Sequence, residues 1–133
     1  ALKGVTVADI TMKDVPVLKR EDNIVKAVEL LLNGQAKNIL IMDEGKPYGI
    51  LGRERIIKAL QEHSKDASVE MAADRNPGII DVAEPIENAL LLLQDQKNSM
   101  LIVTKNGLVY GVTDLENILE YIMVKNAAAD SKK

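Results

Sequence analysis

Residues 45–51 of the chain read GKPYGIL, and residues 107–113 read GLVYGVT. Each stretch starts with a glycine in a polar turn and continues as a mostly apolar run through a Tyr-Gly pair. A short apolar run also precedes each turn, at residues 39–42 and 101–103. Two apolar runs joined by a short turn that contains glycine predict a β-hairpin. The same hairpin is therefore predicted twice, at a spacing of 62 residues.

The spacing of 62 residues extends from the hairpin in both directions without a gap. The residues that are identical in both copies include Val7 and Val69, Ile24 and Ile86, Ala27 and Ala89, Glu54 and Glu116, and Ile56 and Ile118. A register that holds from residue 7 to about residue 60 is difficult to obtain by chance. Because self-similarity at a fixed period is the signature of repeated units, the chain is predicted to contain two copies of one unit.

Each copy is predicted to run strand, helix, hairpin and helix, in the order βαββα. In the first copy Pro16 favours an extended piece, Asp22 is a good N-cap for the helix that follows, and Gly34 is a natural C-cap. In the second copy Pro85 suits the first position of a helix, and Asp114 is predicted to cap the last helix.

One such unit is too small to bury both its sheet and its helices well. Two copies packed sheet to sheet would solve this problem. The predicted fold class is therefore α+β (α/β), with two βαββα repeats packed with pseudo-two-fold symmetry and clefts between them. The predicted boundaries are residues 1–62 for the first repeat, 63–126 for the second, and 127–133 for a flexible tail of small and charged residues.

Composition argues against several classes of function. The chain has 133 residues, a net charge of -3, no cysteine and one histidine, His63. Without cysteine there are no disulfides or thiolate sites, and His63 lies in a polar stretch with no nucleophile pair to activate. Three tyrosines are the only aromatic residues, so nucleic-acid binding has no support. No apolar run approaches the ~18 residues of a membrane span. Neither catalysis nor direct membrane insertion is expected.

The doubled pattern resembles a tandem CBS-domain pair, also called a Bateman module. The resemblance rests on residues 7–10 (VADI), 22–32, 39–45 and 49–51, and on their repetition from residue 69 to about residue 122. It implies a non-catalytic regulatory module that controls a larger parent protein by ligand- or partner-dependent rearrangement. It also implies a cytoplasmic location, either free or as the soluble portion of a membrane protein. The implied ligands are adenosine-type molecules such as AMP, ATP or S-adenosylmethionine, bound in the cleft between repeats, and no cofactor is required.

The ligand motif that the resemblance implies is altered in the first copy. The family pattern is Gly, two aliphatic residues, Ser or Thr, two variable residues and Asp, whose carboxylate accepts hydrogen bonds from the ribose. Residues 49–55 read GILGRER, so Gly52 replaces the hydroxyl residue and Arg55 replaces Asp. Arginine has donors only. Together with Arg53 and Lys58 it would favour a phosphate or a carboxylate group.

The second copy is altered differently, because residues 111–117 read GVTDLEN. Asp114 replaces the hydroxyl residue and would repel phosphate, whereas Asn117 replaces Asp and still offers one acceptor. The alternative is that neither cleft binds a nucleotide, that Asp114 is only a helix cap, and that both arginines are surface charges. The candidate ligand-binding residues are Gly52, Arg53, Arg55, Asp114, Asn117, Pro16, Val17, Gly78 and Ile79.

Apolar residues on the helix after each hairpin predict association of the chain with itself as a homodimer. They are Ile56, Ile57 and Leu60, and Ile118, Leu119 and Ile122. The other predicted partner is a parent catalytic or transport domain. The alternative function is a ligand-free oligomerisation module of a parent such as a site-2-type zinc metallopeptidase or a transporter. The stretch LLNGQ at residues 31–35 is similar to CBS pairs of such metallopeptidases.

Overall fold

The computed structural model describes residues 3–34, 37–95 and 98–131. Within these ranges the chain forms two three-stranded sheets, and two α-helices accompany each sheet. A short 3₁₀ turn precedes the first strand of each sheet. The predicted α+β class and the βαββα order of both copies are confirmed. Gln35 of the LLNGQ stretch and the last two residues of the predicted tail lie outside the described residues.

Every element of the first copy has a counterpart that starts within one residue of the 62-residue spacing. The first copy contains the first 3₁₀ turn (Val7–Ile10), β1 (Val17–Lys19), α1 (Ile24–Leu32), β2 (Asn38–Asp43), β3 (Lys46–Gly52) and α2 (Arg53–Glu62). The second copy contains the second 3₁₀ turn (Val69–Met71), β4 (Gly78–Asp81), α3 (Ile86–Gln94), β5 (Leu101–Lys105), β6 (Leu108–Thr113) and α4 (Leu115–Ser131).

In each sheet the first strand of the hairpin is central. β2 pairs parallel to β1 and antiparallel to β3, and β5 pairs in the same way with β4 and β6. The hairpin turns have positive φ angles at Glu44 (50°) and Gly45 (81°), and at Asn106 (55°) and Gly107 (78°). Two consecutive residues with positive φ are what a type I′ hairpin turn requires. The predicted hairpins are therefore confirmed in both copies.

The chain divides into two compact units whose limits differ from the sequence period. The first unit comprises Asp14–Pro77, and the second joins the chain up to Lys13 to the chain from Gly78 onward. Residues 3–13, which precede β1, thus belong to the second unit, and residues 63–77, which precede β4, belong to the first. We call residues 3–13 the first lead-in segment and residues 63–77 the second. The boundary between residues 62 and 63 describes the repeat in the sequence, and the compact units cross it.

Each unit has its own aliphatic core, to which its lead-in segment contributes. The first core contains Leu18, Ile24, Ala27, Ile39, Ile41, Leu51, Ile56 and Ala59, with Val69, Ala72 and Ala73 from the second lead-in segment. The second core contains Ile80, Ile86, Ala89, Leu93, Leu101, Val103 and Ile118, with Val5, Val7 and Ile10 from the first lead-in segment. The lead-in segments are therefore integral parts of the two cores, because burial of their apolar side chains stabilises each unit.

Two predicted helix starts are displaced by one residue. Asn23 rather than Asp22 caps α1, since its side chain accepts a hydrogen bond from the Lys26 N–H, and asparagine is as good a cap as aspartate. Asp22 instead accepts from the Lys19 N–H at 2.8 Å and pairs with the Lys26 ammonium at 3.1 Å. These two contacts hold the pKa of the Asp22 carboxyl below its ordinary value. Pro85 is the N-cap of α3 rather than its first helical residue.

Two further predictions concern the ends of α1 and α4. The first is confirmed, and the second differs from the structure. Gly34 follows α1 with a φ of 70°, and its N–H donates to the Leu31 carbonyl at 3.1 Å, so glycine ends this helix as predicted. The predicted flexible tail, by contrast, is helical up to Ser131. The alanines at 127–129 are strong helix formers, which explains the difference. None of the helices in the described ranges is both long and apolar enough to cross a membrane.

Candidate ligand-binding site

The sequence-predicted site residues of the first copy gather at one end of the first sheet. Val17 at the start of β1 pairs with Leu40 of β2, and Gly52 at the end of β3 pairs with Asn38 of β2. The Pro16 carbonyl accepts a hydrogen bond from the Leu40 N–H at 3.0 Å. Both candidate positions therefore flank the start of the central strand, and the Val17 side chain is 51% exposed there.

The second copy repeats this arrangement within its own unit. Leu101 at the start of β5 pairs with Gly78 of β4 on one side and with Thr113 of β6 on the other. Ile79 is 54% exposed, much like its counterpart Val17. The Gly78 N–H donates to Asn98 Oδ1 at 3.1 Å, which fixes the start of the strand. In both units the strand start and the start of the last helix thus lie at the same end of the sheet.

The start of α2 is partly occupied by contacts within the unit. Gly52 is its N-cap, with extended backbone and no side chain to cap the helix. The Arg53 N–H donates to the Lys37 carbonyl at 3.2 Å, so one of the donors at the helix start is already used. A Cβ added at Gly52 would lie 2.9 Å from Asn38 Oδ1. The hydroxyl residue of the family motif would therefore need the Asn38 side chain to move.

Arg55 contacts the second lead-in segment. Its Nη1 donates to the Ala72 carbonyl at 3.2 Å. Ala72 directly follows the second 3₁₀ turn and is buried in the first core. The side chain at the position of the family's ribose-binding aspartate therefore serves here to hold a segment of its own unit.

Asp114 and Asn117 are both engaged within the second unit. Asp114 Oδ1 accepts from the Asn117 N–H at 2.8 Å, which is the bond of an N-cap and confirms the predicted cap. The Asn117 side-chain amide donates to the Ile10 carbonyl and lies 3.4 Å from Thr113 Oγ1. Since both contacts engage the nitrogen, the Asn117 side chain keeps its oxygen for accepting a hydrogen bond.

Arg55 and Asn117 make the same contact in the two units. They are separated by the 62-residue period, and so are the carbonyls that they contact, those of Ala72 and Ile10. In each unit a donor side chain from the last helix thus fastens the lead-in segment at the end of its 3₁₀ turn. Sequence reasoning missed this role. The signal was present, because both copies carry a hydrogen-bond donor where the family motif has an acceptor.

In each unit a β-bridge between main chains also holds the lead-in segment. Asp74 and Ile50 exchange two backbone hydrogen bonds of 3.0 and 2.7 Å, and Met12 and Val112 exchange two of 2.7 and 2.9 Å. The glycine before each bridge makes the approach possible. A Cβ added at Gly111 would lie 2.4 Å from the Met12 carbonyl oxygen, and one at the equivalent Gly49 would be equally close to Asp74. The paired Tyr-Gly dipeptides therefore mark where each lead-in segment crosses its hairpin.

The tyrosines of those dipeptides provide a third repeated contact. The Arg75 guanidinium lies 3.6 Å from the centre of the Tyr48 ring, and the Lys13 ammonium lies 4.3 Å from that of Tyr110. Arg75 Nε also donates to the Tyr48 carbonyl at 3.1 Å. Cations at such distances are attracted to the ring face. Lys13, with a smaller contribution from Lys105, also lowers the pKa of the Tyr110 hydroxyl.

Comparison with known proteins agrees with this doubled architecture. Residues 7–62 match the family model of the CBS domain, whereas no curated protein matches the sequence. A protein assigned to acetoin utilization (AcuB) from Vibrio cholerae has a TM-score of 0.83 at 14% identity, over 97% of each chain. CBS domain protein PAE2072 from Pyrobaculum aerophilum, solved with AMP, has a TM-score of 0.78 at 15% identity, over 93% of this chain and 99% of that one.

A third solved structure is the CBS domain pair of protein MJ0100 in complex with 5-methylthioadenosine and S-adenosyl-L-methionine. Its TM-score is 0.78 at 24% identity, over 91% of this chain and 98% of that one. Residues 7–62, the first repeat, thus match the CBS domain by sequence, and the two copies together have the fold of solved CBS-domain pairs.

Proposed function

We propose that the chain is a non-catalytic regulatory module that controls a larger parent protein and responds to an adenosine-type ligand. The observation that supports this most directly is its fold, which over 91% of its length is that of a CBS pair solved with two adenosine-containing ligands. CBS domains generally regulate rather than catalyse. The ligand would contact the strand and helix starts that the structure groups at one end of each sheet.

The mechanism would act through the lead-in segments. Each segment is fastened by the residue at the ribose position of the family motif, Arg55 or Asn117. A ligand that recruits this side chain changes how firmly the lead-in segment is held. A ligand shifts an equilibrium only by its difference in affinity for the two states. Arg55 and Asn117 would give the ligand different affinities for the state with the lead-in segment fastened and the state with it released. A side chain that moves to the ligand leaves the Ala72 or Ile10 carbonyl without its donor.

The proposal is tested by thermal unfolding of the chain with AMP, ADP, ATP and S-adenosylmethionine, each added separately. A ligand at 100 times its dissociation constant is expected to stabilise the fold by about 2.7 kcal/mol, because it binds only the native state. The control is ribose 5-phosphate, which lacks the adenine, and an adenosine-type ligand should stabilise the fold more than this control does under the same conditions. A melting temperature that none of the four compounds changes at saturating concentration would contradict an adenosine-type ligand.

The second candidate function is a ligand-free oligomerisation module of the parent, such as a site-2-type zinc metallopeptidase or a transporter. One observation favours it: the residues at the altered motif positions are already used within the units. Arg55 and Asn117 fasten the lead-in segments, and Asp114 caps α4. This function requires association of the chain with itself, which the surfaces of α2 and α4 support.

An exposed apolar stripe follows one face of α4. Leu115, Leu119 and Met123 recur every four residues and are 38%, 48% and 71% exposed, so they lie above one another on the helix. The equivalent helix of the first unit exposes Ile57 (47%) and Leu60 (42%). Ile56 and Ile118, in contrast, are buried in the cores of their own units. We propose that the two exposed stripes are covered in a homodimer, because contiguous apolar surface is characteristic of protein interfaces.

Replacing both Leu119 and Met123 by glutamate is expected to convert this dimer into a monomer. Two charges buried in an interface without partners would cost far more than the lost contacts. The measurement is the molar mass in solution by light scattering after size exclusion. Leu108→Glu is the matched control, since Leu108 is 70% exposed and belongs to β6 rather than to α4, and its variant should keep the parent mass. An unchanged mass in the double variant would rule out this interface.

A further inference from the structure

A shallow depression of about 110 Å³ opens on the first unit, between α2 and the second lead-in segment. One wall is formed by Arg55, Lys58 and Glu62, which lie on one face of α2 because they are three and four residues apart. The opposite wall is formed by Met71 and Ala72. All of these residues belong to the first unit. The depression lies on the side of α2 and does not include the helix start at Gly52.

The two cations of the depression keep most of their binding capacity. The contact with the Ala72 carbonyl occupies only Nη1 of Arg55, and a guanidinium has five N–H donors in a rigid fork. The contact therefore orients the guanidinium and leaves its other N–H donors available to a ligand. Lys58 is 71% exposed and lies 3.9 Å from Glu62 Oε1, a distance and an exposure at which an ion pair contributes little. His63 adds a third nitrogen-bearing side chain to the rim.

The second unit shows that the fold does not need these charges. At the equivalent positions it carries Asn117 for Arg55, Glu120 for Lys58 and Asp9 for Met71. Asn117 makes the same contact to the lead-in segment with an uncharged amide. The hydrogen bond from Arg55 to the lead-in segment therefore does not require a positive charge. At this location the first unit has two cations and the carboxylate of Glu62, whereas the second has two carboxylates and one cation, Lys125 in place of His63. The charges of the first unit are therefore the ones that favour an anion.

We propose that this depression is a binding site for a small organic anion that carries a carboxylate or a phosphate monoester. Arg55 would hold two of its oxygens through a two-pronged contact, and Lys58 would supply a second positive charge. Met71 is 55% exposed on the opposite wall and offers an apolar contact to the rest of the ligand. The site shares Arg55 with the proposed adenosine response, but it requires neither adenine nor ribose.

The test is a titration of the whole chain followed by backbone and arginine side-chain NMR signals, with inorganic phosphate and with citrate as probes. Ionic strength is held constant with chloride. We expect saturable shifts at Arg55, Lys58 and Met71, and none at Asn117 or Glu120 of the second unit. The probe that saturates at the lower concentration distinguishes the phosphate from the carboxylate ligand class. Neither probe contains adenine, so the result is independent of the adenosine experiment.

Three variants test whether the charged side chains bind the anion or only maintain the fold. Arg55→Gln keeps a donor for the Ala72 carbonyl but loses the charge, and it should weaken binding at least about tenfold, as should Lys58→Gln. Glu62→Gln removes the one carboxylate among the lining residues and should tighten it. An unchanged melting temperature shows that the fold is intact in each variant. Shifts that do not saturate, or that are the same in Arg55→Gln and Lys58→Gln as in the parent chain, would overturn the proposal.

Discussion

Removal of residues 1–13 is expected to abolish cooperative folding of the second unit. This part of the chain supplies Val5, Val7 and Ile10 to the second core, where they are 8%, 0% and 4% exposed. Burial of one such side chain stabilises a fold by roughly 1.5–3 kcal/mol. The loss of all three is comparable with the whole stability of a small domain, which is about 5–15 kcal/mol. The missing β-bridge to Val112 adds to the loss.

The truncation is measured by thermal unfolding and by hydrogen exchange of the β5 and β6 amides. The matched control is removal of residues 127–133, because residues 127–130 are exposed and contribute to neither core. That variant should unfold within about 1 kcal/mol of the parent chain, as surface changes usually do. Full protection of β5 and β6 without residues 1–13 would show that the second sheet forms without the first lead-in segment, as the sequence period suggests.

Replacing Gly111 by alanine is expected to destabilise the fold by about 3 kcal/mol, at the upper end of what overpacking costs. The new Cβ would lie 2.4 Å from the Met12 carbonyl oxygen, a main-chain atom that cannot turn away as a side chain can. Relief requires the first lead-in segment to move off the hairpin, which breaks the two hydrogen bonds between Met12 and Val112. Denaturant unfolding measures the loss.

Two further glycine variants serve as comparisons for Gly111→Ala. Gly49→Ala should cost about as much as Gly111→Ala, since its Cβ would be as close to the Asp74 carbonyl oxygen. Gly52→Ala should cost much less, because its Cβ would meet only the end of the Asn38 side chain, at 2.9 Å. If Gly111→Ala and Gly52→Ala lowered the free energy of unfolding equally, the close approach of the lead-in segment would not be the reason for the glycine.

The secondary structure of this protein is predicted well from the sequence because its signals are local. A hairpin turn needs residues that tolerate positive φ. Asn106-Gly107 is a favoured pair for this, and in Glu44-Gly45 the glycine supplies that tolerance. The Asp114 cap depends on one side chain and the N–H three residues later. The displaced start of α1 has a local cause too, since Asp22 and Asn23 are neighbouring residues of nearly equal capping strength.

The candidate site is predicted less completely, because the family motif describes contacts to a ligand and not contacts within the unit. The sequence shows that Arg55 and Asn117 depart from the motif. It does not show that both side chains turn to carbonyls 17 and 107 residues away along the chain. Likewise, the depression beside Arg55 and Lys58 exists only because Met71 and Ala72 pack opposite α2.

The amino-acid sequence by itself determined the repeat, its 62-residue period and the βαββα order of each copy. These follow from apolar periodicity and turn residues, which act over a few neighbouring positions. Only the tertiary structure decided where each lead-in segment packs. Residues 3–13 precede β1 of the first unit but pack in the second, and residues 63–77 precede β4 of the second unit but pack in the first. Val7 and Val69 are identical and occupy equivalent positions of the repeat, so the repeat pattern does not assign them to one core or the other. That choice depends on which hairpin glycine, Gly49 or Gly111, the segment crosses.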